Sequence, residues 1–410
     1  MQWSASGPGA RSSARAWSLA AILVLASILL VACGDDEGES GDEGEPIVVG
    51  AAVAESGIMS QFDEPVVQGA EIAIDEINAD GGVDGRDLEL VVSDHQSDLE
   101  QVQRSALDVM DQGAEVVITT HDFDFGSPAA LTANAEGLLS LGGAGGMSFG
   151  FEGVGPLHFN LYPGNVTEGA VMAQFAHDQG YERPYLLQDL SIEYTREVCE
   201  FFAESWEGLT GSAPAGQSTF QNDDRSFSSQ VNDVRGSDAD SVILCSYPPG
   251  GPGLIRQLRA ADVDLPVVAS GGGMDGIRWL DAVPNLSDYY DSVMASLTGD
   301  DPDPERNRLF AEIDERFGSV PQLAAQALTG YSAIQAIARA VEANDGSTDG
   351  EALASTISGF EGEELLVGPV TYSEECHIPI GMPMQIRQVQ NGESSYLETV
   401  EPEALPDAPC

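Results

Sequence analysis

Six consecutive residues, His121–Gly126 with the sequence HDFDFG, bring together an imidazole, two carboxylates and two phenyl rings. They follow the apolar run Glu115–Thr120, whose β-branched residues predict a buried strand. Aromatic faces attract cations, and a nearby carboxylate completes a site for an organic cation or a neutral, polar, amide-like solute. The elements around this stretch decide which chemistry it can perform.

The DFG triplet, Asp124–Gly126, is also a metal-binding signature of protein kinases, but the rest of the chain contradicts a kinase. There is no lysine to pair with ATP phosphates, no His-Arg-Asp loop and no kinase-type glycine-rich loop. The run Gly142–Gly146 follows a late strand, so it fits either close approach of backbone to a ligand or a tight turn. No motif for a nucleophile, a metal or a cofactor occurs, and we expect a protein that is not an enzyme.

The N-terminal residues predict the compartment. Arg11 and Arg15 precede an uncharged apolar run, residues 16–32, which is the layout of a secretory signal; a retained transmembrane anchor is the weaker alternative. The run ends in LVAC, which resembles a bacterial lipobox with lipidation of Cys33. We therefore expect a signal peptide over 1–32, a flexible acidic tether over 33–46, and an extracytoplasmic protein that is lipid-anchored to the cell membrane.

The composition restricts the partners. The formal net charge is −52, and all 16 basic residues are arginine. So acidic a chain argues against nucleic acid or anionic lipid as a partner, and it fits adaptation to saline surroundings. With 42% hydrophobic residues, the chain beyond the tether can build a sizeable core, and its length predicts two domains.

Strand-like and helix-like segments alternate along the chain, and the alternation restarts after about residue 165. This pattern predicts an α/β fold with two doubly wound parallel-sheet lobes. In open α/β sheets ligands bind beyond the carboxyl ends of the strands, so the expected site is the cleft between the lobes.

Four stretches resemble a known family: Gln68–Asp98, Glu136–Gly146, Ile192–Phe202 and Gly346–Ser373. The chain from Pro46 onward is similar to type I periplasmic binding proteins of the branched-chain amino acid and amide-binding branch. The resemblance implies two lobes joined by crossover strands, with 47–163 plus 297–362 as lobe 1 and 164–296 plus 363–410 as lobe 2.

The resemblance also implies the function and the partners. It implies a monomeric substrate-binding component of an ABC importer, which clamps a small solute such as an amino acid or amide and delivers it to a permease. The alternative use of the same fold is a sensor that presents its solute to a membrane receptor.

The aromatic residues Phe62, Tyr194 and Tyr247 match positions that line the pocket in this family. Phe123 stands where amino-acid binders have Ser, and Gly146 stands where they have Thr, so a free α-amino acid loses side-chain donors for its carboxylate. The ligand-binding residues expected from the resemblance and from the HDFDFG stretch are Phe62, Asp122, Phe123, Asp124, Ala144, Gly146, Tyr194, Tyr247 and Asp275.

Other roles stay open for the HDFDFG residues. Either Phe123 or Phe125 can be ordinary core packing, since their side chains point in opposite directions if the strand continues. Asp122 and Asp124 can instead lie in a solvated loop or be the N-cap of a helix starting near Ser127, and His121 is expected to be structural.

Four cysteines besides Cys33 form an even number in an oxidising compartment. We predict two disulfides, each within one lobe, because a bridge across the cleft would prevent hinge motion; free buried thiols are the alternative. The predicted pairs are Cys199–Cys245 and Cys376–Cys410.

Overall fold

A computed structural model describes residues 44–271, 283–318, 324–373 and 376–407. Its first sheet has five strands, all parallel, in the order β2-β1-β3-β4-β5. These strands are Ile47–Val53 (β1), Leu88–Asp94 (β2), Val116–Thr119 (β3), Leu139–Gly142 (β4) and His158–Asn160 (β5). Strands β3 and β4 are fully buried, as expected for parallel strands covered by helices on both faces.

The helices that cover this sheet come from two parts of the chain. They are Ser60–Ala79 (α1), Leu99–Asp111 (α2), Phe123–Ala135 (α3), Phe151–Val154 (α4), Pro304–Phe317 (α9), Ala327–Ala343 (α10) and Gly350–Ser358 (α11). Helices α2 and α3 pack together on one face, where small apolar residues form the core. Helices α1 and α10 pack so closely that a Cβ atom on Gly330 would lie 2.0 Å from the Val66 carbonyl oxygen. Glycine at this position therefore allows the contact.

The second sheet has seven strands in the order β14-β13-β10-β9-β8-β6-β7. Its strands are Pro184–Asp189 (β6), Gly216–Phe220 (β7), Ser241–Cys245 (β8), Val267–Ala269 (β9), Tyr289–Val293 (β10), Met384–Gln390 (β13) and Glu393–Val400 (β14). Strands β6 to β10 pair in parallel, whereas β13 and β14 join as antiparallel strands. A buried ion pair between Asp291 and Arg387, 2.5 Å apart, lies across the first antiparallel junction.

Among the described residues, four helices accompany the second sheet. They are Gly164–Asp178 (α5), Glu193–Thr210 (α6), Ser228–Gly236 (α7) and Gly250–Ala260 (α8). Two short strands, Glu363–Leu365 (β11) and Gly368–Val370 (β12), form a separate antiparallel pair. No helix in the described ranges is long and apolar enough to span a membrane.

The α/β fold class predicted from the alternation is confirmed, with corrections to single elements. Helix α3 begins at Phe123 instead of near Ser127, and β5, β10 and β14 are strands that the sequence pattern did not indicate. The first sheet ends at Asn160 and the second begins at Pro184. The lobe boundaries themselves stay a prediction.

The predicted Cys199–Cys245 disulfide is present. It joins α6 to the end of β8, with the two Cα atoms 5.8 Å apart. Cys33, with the signal peptide and most of the tether, lies outside the described residues, as does Cys410. The Cys376–Cys410 pair therefore stays a prediction.

Candidate functional site

A cavity of about 250 Å³ lies at the carboxyl ends of strands from both sheets. The first sheet contributes the segments after β1, β3 and β4, and the second contributes the segments after β6 and β8. The predicted site residues that line it are Phe62, Asp122, Phe123, Ala144, Gly146, Tyr194 and Tyr247. Asp124 is exposed and is not part of the lining, and Asp275 lies outside the described residues.

The HDFDFG stretch forms the start of α3 and not an extended loop. Asp122 is the N-cap residue, with extended backbone, and its carboxylate accepts a hydrogen bond from the Phe125 N–H at 3.2 Å. Of the two aspartates expected as possible caps, Asp122 therefore has that role, whereas Asp124 belongs to the first helical turn and faces solvent. Asp122, at 6% exposure, is therefore the carboxylate that this stretch presents to the cavity.

Both phenyl rings of the stretch line the cavity, because the helix places them differently from a continued strand. Phe123 meets Phe149 edge to face at 5.3 Å between ring centroids, and Phe125 stacks on His95 at 6.5 Å. Each ring thus has a packing partner on one side and the cavity on the other.

A buried carboxylate beneath this wall escaped the sequence analysis. Asp63 of α1 accepts hydrogen bonds from the Ala54 N–H at 2.8 Å, the Thr120 hydroxyl at 2.7 Å and the His121 N–H at 3.2 Å. Burial raises its pKa to about 6. Asp63 thereby connects α1 to the ends of β1 and β3 and fixes the turn that carries Asp122.

His121 lines the cavity, and its contacts fit the structural role expected of it. Its Nδ1 lies 3.1 Å from the Thr329 hydroxyl and 3.4 Å from the Gln326 side-chain oxygen. Burial lowers its pKa to about 4, so the imidazole is neutral at pH 7.

A second buried carboxylate holds two tyrosines of the cavity. Glu168 of α5 accepts hydrogen bonds from the hydroxyls of Tyr162 at 2.7 Å and Tyr194 at 2.8 Å. It also accepts from the Gly271 N–H at 2.7 Å and the Ser292 hydroxyl at 2.8 Å, while burial raises its pKa. Since Tyr162 and Tyr194 line the cavity, Glu168 positions both rings from behind. The only sequence signal is a lone acid within an otherwise uncharged, apolar helical stretch.

Helix α6 of the second sheet contacts the glycine-rich segment after β4 of the first. Glu197 accepts hydrogen bonds from the Met147 N–H at 2.9 Å and the Asn165 side-chain amide at 2.8 Å, and Glu193 accepts from the Ser148 N–H at 3.3 Å. Burial raises the pKa of Glu197 to about 7. These contacts join the two walls directly at the rim of the cavity.

The lining is aromatic and acidic. Burial, reinforced by the neighbouring charge of Asp124, raises the pKa of Asp122 to about 7. No arginine is among the described residues that line the cavity. Within the described part of the chain, no cluster of His, Cys, Asp and Glu could hold a metal ion. The arrangement can enclose a small solute, and it offers a carboxylate and several ring faces to it.

Residues 46–394 match the family model described as periplasmic binding protein. The chain belongs to the periplasmic binding protein family. A curated relative, the Leu/Ile/Val-binding protein homolog 1 of Brucella abortus (strain 2308), is 24% identical over 341 residues, which span 80% of this chain and 86% of that protein. This places the chain with the type I proteins of the branched-chain amino acid branch, and the family description implies an extracytoplasmic location.

Solved structures agree on the fold. The branched-chain amino acid transporter substrate binding protein LivJ from Streptococcus pneumoniae, in complex with isoleucine, superposes with a TM-score of 0.75 at 19% identity, covering 87% of this chain and 100% of that one. A solute binding protein of an ABC transporter from R. palustris, in complex with 4-hydroxybenzoate, gives a TM-score of 0.73 at 16% identity and covers 88% and 98%. Ligands in this fold therefore differ widely between proteins.

Proposed function

We propose that this protein is the extracytoplasmic substrate-binding component of an ABC importer and that it clamps one small solute between two lobes. The observation that carries the proposal is the cavity at the carboxyl ends of strands from both sheets, with its two walls joined by Glu193 and Glu197. A solute there would contact both lobes, which is how a clamp converts binding into a shape that a permease can recognise.

The proposed solute is a small polar compound, for which an amino acid, an amide and an amine or other organic cation are the candidates. The size supports a small molecule: a cavity of 150 Å³ holds benzene, so about 250 Å³ holds roughly ten non-hydrogen atoms. The resemblance places Phe123 and Gly146 where amino-acid binders have Ser and Thr, and both residues line the cavity without offering a side-chain donor.

Membrane attachment through Cys33 is part of the proposal and rests on the lipobox-like sequence. We expect Cys33→Ala to release a soluble protein or to leave an unprocessed precursor. Normal processing and lipidation of that variant would contradict the anchor.

Neighbouring genes distinguish an importer from a sensor: permease and ATPase genes accompany an importer, and a receptor kinase gene accompanies a sensor.

The binding function is tested by thermal melting of the purified protein with a low-molecular-weight cell extract. We expect the extract to raise the melting temperature of the wild type, and much less that of Phe123→Ala. The matched control is Phe317→Ala, which removes an exposed ring on α9 outside the cavity lining and should respond like the wild type. Absence of any shift in the wild type, or conversion of a solute to product, would contradict the proposal.

A further inference from the structure

We propose that the solute is a compact organic cation, with Asp122 as its counter-ion and the surrounding aromatic rings as a cage for its substituents. The inference rests on the proposed solute-binding function and names the substrate class of that same site. It differs from what the compared proteins bind, since isoleucine and 4-hydroxybenzoate both carry a carboxylate.

The charge balance of the lining is the first argument. Helices α3 and α6 both begin at the cavity, and each helix N-terminus contributes about half a positive charge. Asp122 caps the first helix, and Glu193 lies in the first turn of the second, so each carboxylate, when ionised, outweighs the partial positive charge beside it. Among the described lining residues no arginine opposes them, and the chain contains no lysine.

The backbone donors near the site give the second argument. A solute carboxylate would need converging N–H groups, and the glycine-rich segment after β4 is where the fold could offer them. Three of these N–H groups already donate to acceptors of the protein itself. Ala144 donates to the Asn160 side chain at 3.2 Å, Met147 to Glu197 and Ser148 to Glu193. An anionic solute could not use these three N–H groups without displacing their acceptors, and it would lie beside Asp122.

The aromatic lining gives the third argument. Phe62, Phe125, Tyr162, Tyr194 and Tyr247 surround the same cavity as Asp122. Ring faces attract alkylammonium groups and also contact their methyl or methylene substituents, which is how aromatic cages hold organic cations. The hydroxyls of Tyr162 and Tyr194 donate to Glu168, which orients these rings independently of any solute.

The protonation of Asp122 predicts how the affinity for the solute depends on pH. Burial raises the pKa of Asp122 to about 7, and the charges of Asp124 and Asp63 add to this shift. The phenol of Tyr247 and the neutral His121 are the other titratable groups around it. A cation binds the ionised form, so its affinity must fall as the pH drops below the pKa of the solute-free protein. For one group of pKa 7, the dissociation constant should be roughly thirtyfold larger at pH 5.5 than at pH 8.

The test separates the solutes by charge. A low-molecular-weight extract is passed through a strong cation exchanger at pH 7, where zwitterionic amino acids, neutral amides and anions flow through and organic cations are retained. Each fraction is then added to the purified full chain, and the melting temperature is measured. We expect the stabilising activity in the retained fraction, with the pH dependence given above. Activity confined to the flow-through overturns the cationic class while leaving solute binding intact, and activity in neither fraction overturns both.

Two variants assign the counter-ion. Asp122→Asn removes the charge but keeps the helix cap, because Asn caps about as well as Asp. Asp124→Asn removes the adjacent, exposed charge and is the matched control. We expect the retained fraction to stabilise Asp124→Asn and to lose at least tenfold in affinity for Asp122→Asn; equal responses would overturn the role of Asp122.

Two compounds of the same shape, one charged and one neutral, test directly whether the site prefers a cation. Choline carries a quaternary ammonium, and 3,3-dimethylbutan-1-ol is its neutral isostere. We expect stabilisation by choline to exceed that by the alcohol in the wild type and the difference to vanish in Asp122→Asn. Stronger stabilisation by the alcohol would overturn the proposal.

Discussion

Replacement of Glu168 by Gln tests whether the buried carboxylate positions the cavity tyrosines. The side chain is fully buried and accepts hydrogen bonds from two tyrosine hydroxyls, one serine hydroxyl and one backbone N–H. A hydrogen bond to a charged group contributes about 1.5–3 kcal/mol, against about 0.5–1.5 kcal/mol for a neutral one. In Gln the amide oxygen can still accept at one position, whereas the NH2 group at the other can only donate to the tyrosine hydroxyls. The four interactions would weaken by about 4 kcal/mol in all, and the lower desolvation cost of an amide offsets roughly half of this.

We therefore expect Glu168→Gln to lower the free energy of unfolding by about 2 kcal/mol. Urea denaturation followed by far-UV circular dichroism measures this directly. The control is Glu200→Gln, which makes the same chemical change at an exposed position of α6. Glu168→Gln should also be stabilised less by the solute than the wild type is, because Tyr162 and Tyr194 lose their fixed orientation. If both variants unfold at the same urea concentration, Glu168 is not the anchor described above.

Three further predictions concern the scaffold. Joint replacement of Cys199 and Cys245 by Ala should cost about 4 kcal/mol in urea denaturation, from the loop-closure entropy of their 46-residue separation; an unchanged midpoint would contradict it. Gly330→Ala should lower the free energy of unfolding by about 1–3 kcal/mol, because its new methyl group would overlap the α1 backbone. A free energy of unfolding equal to that of the wild type would refute this packing. Gly208→Ala, with open space around its Cβ position, should instead raise the thermal midpoint, through a gain of about 0.5–1 kcal/mol in helix propensity; a lower midpoint would contradict this.

The order of strands and helices could be predicted from the sequence because it depends on local periodicity. The β-branched runs of β1, β3 and β8 are apolar enough to be recognised alone. Strand β14, ESSYLETV, is mostly polar and lies at a sheet edge, so only its pairing with β13 makes it a strand. Such pairing cannot be inferred from the local amino-acid composition.

The start of α3 was mispredicted for a physical reason that the structure supplies. The predicted start near Ser127 left Gly126 outside the helix. A Cβ atom on Gly126 would lie 2.3 Å from the Thr120 carbonyl oxygen, so close packing requires glycine at this position. The cap at Asp122 begins the helix before this glycine. Residues Asp63, Glu168 and Glu197 could not be predicted as parts of the site, since their partners lie on elements distant in sequence.

Hydrogen–deuterium exchange of the purified protein, with and without the stabilising extract, tests the central claim most directly. We expect slower exchange in the cavity segments that follow strands of both sheets, residues 120–126 and 143–148 from the first and 190–198 from the second. Protection confined to one sheet, or found only at a distance from the cavity such as along α9, would contradict a solute held between two lobes.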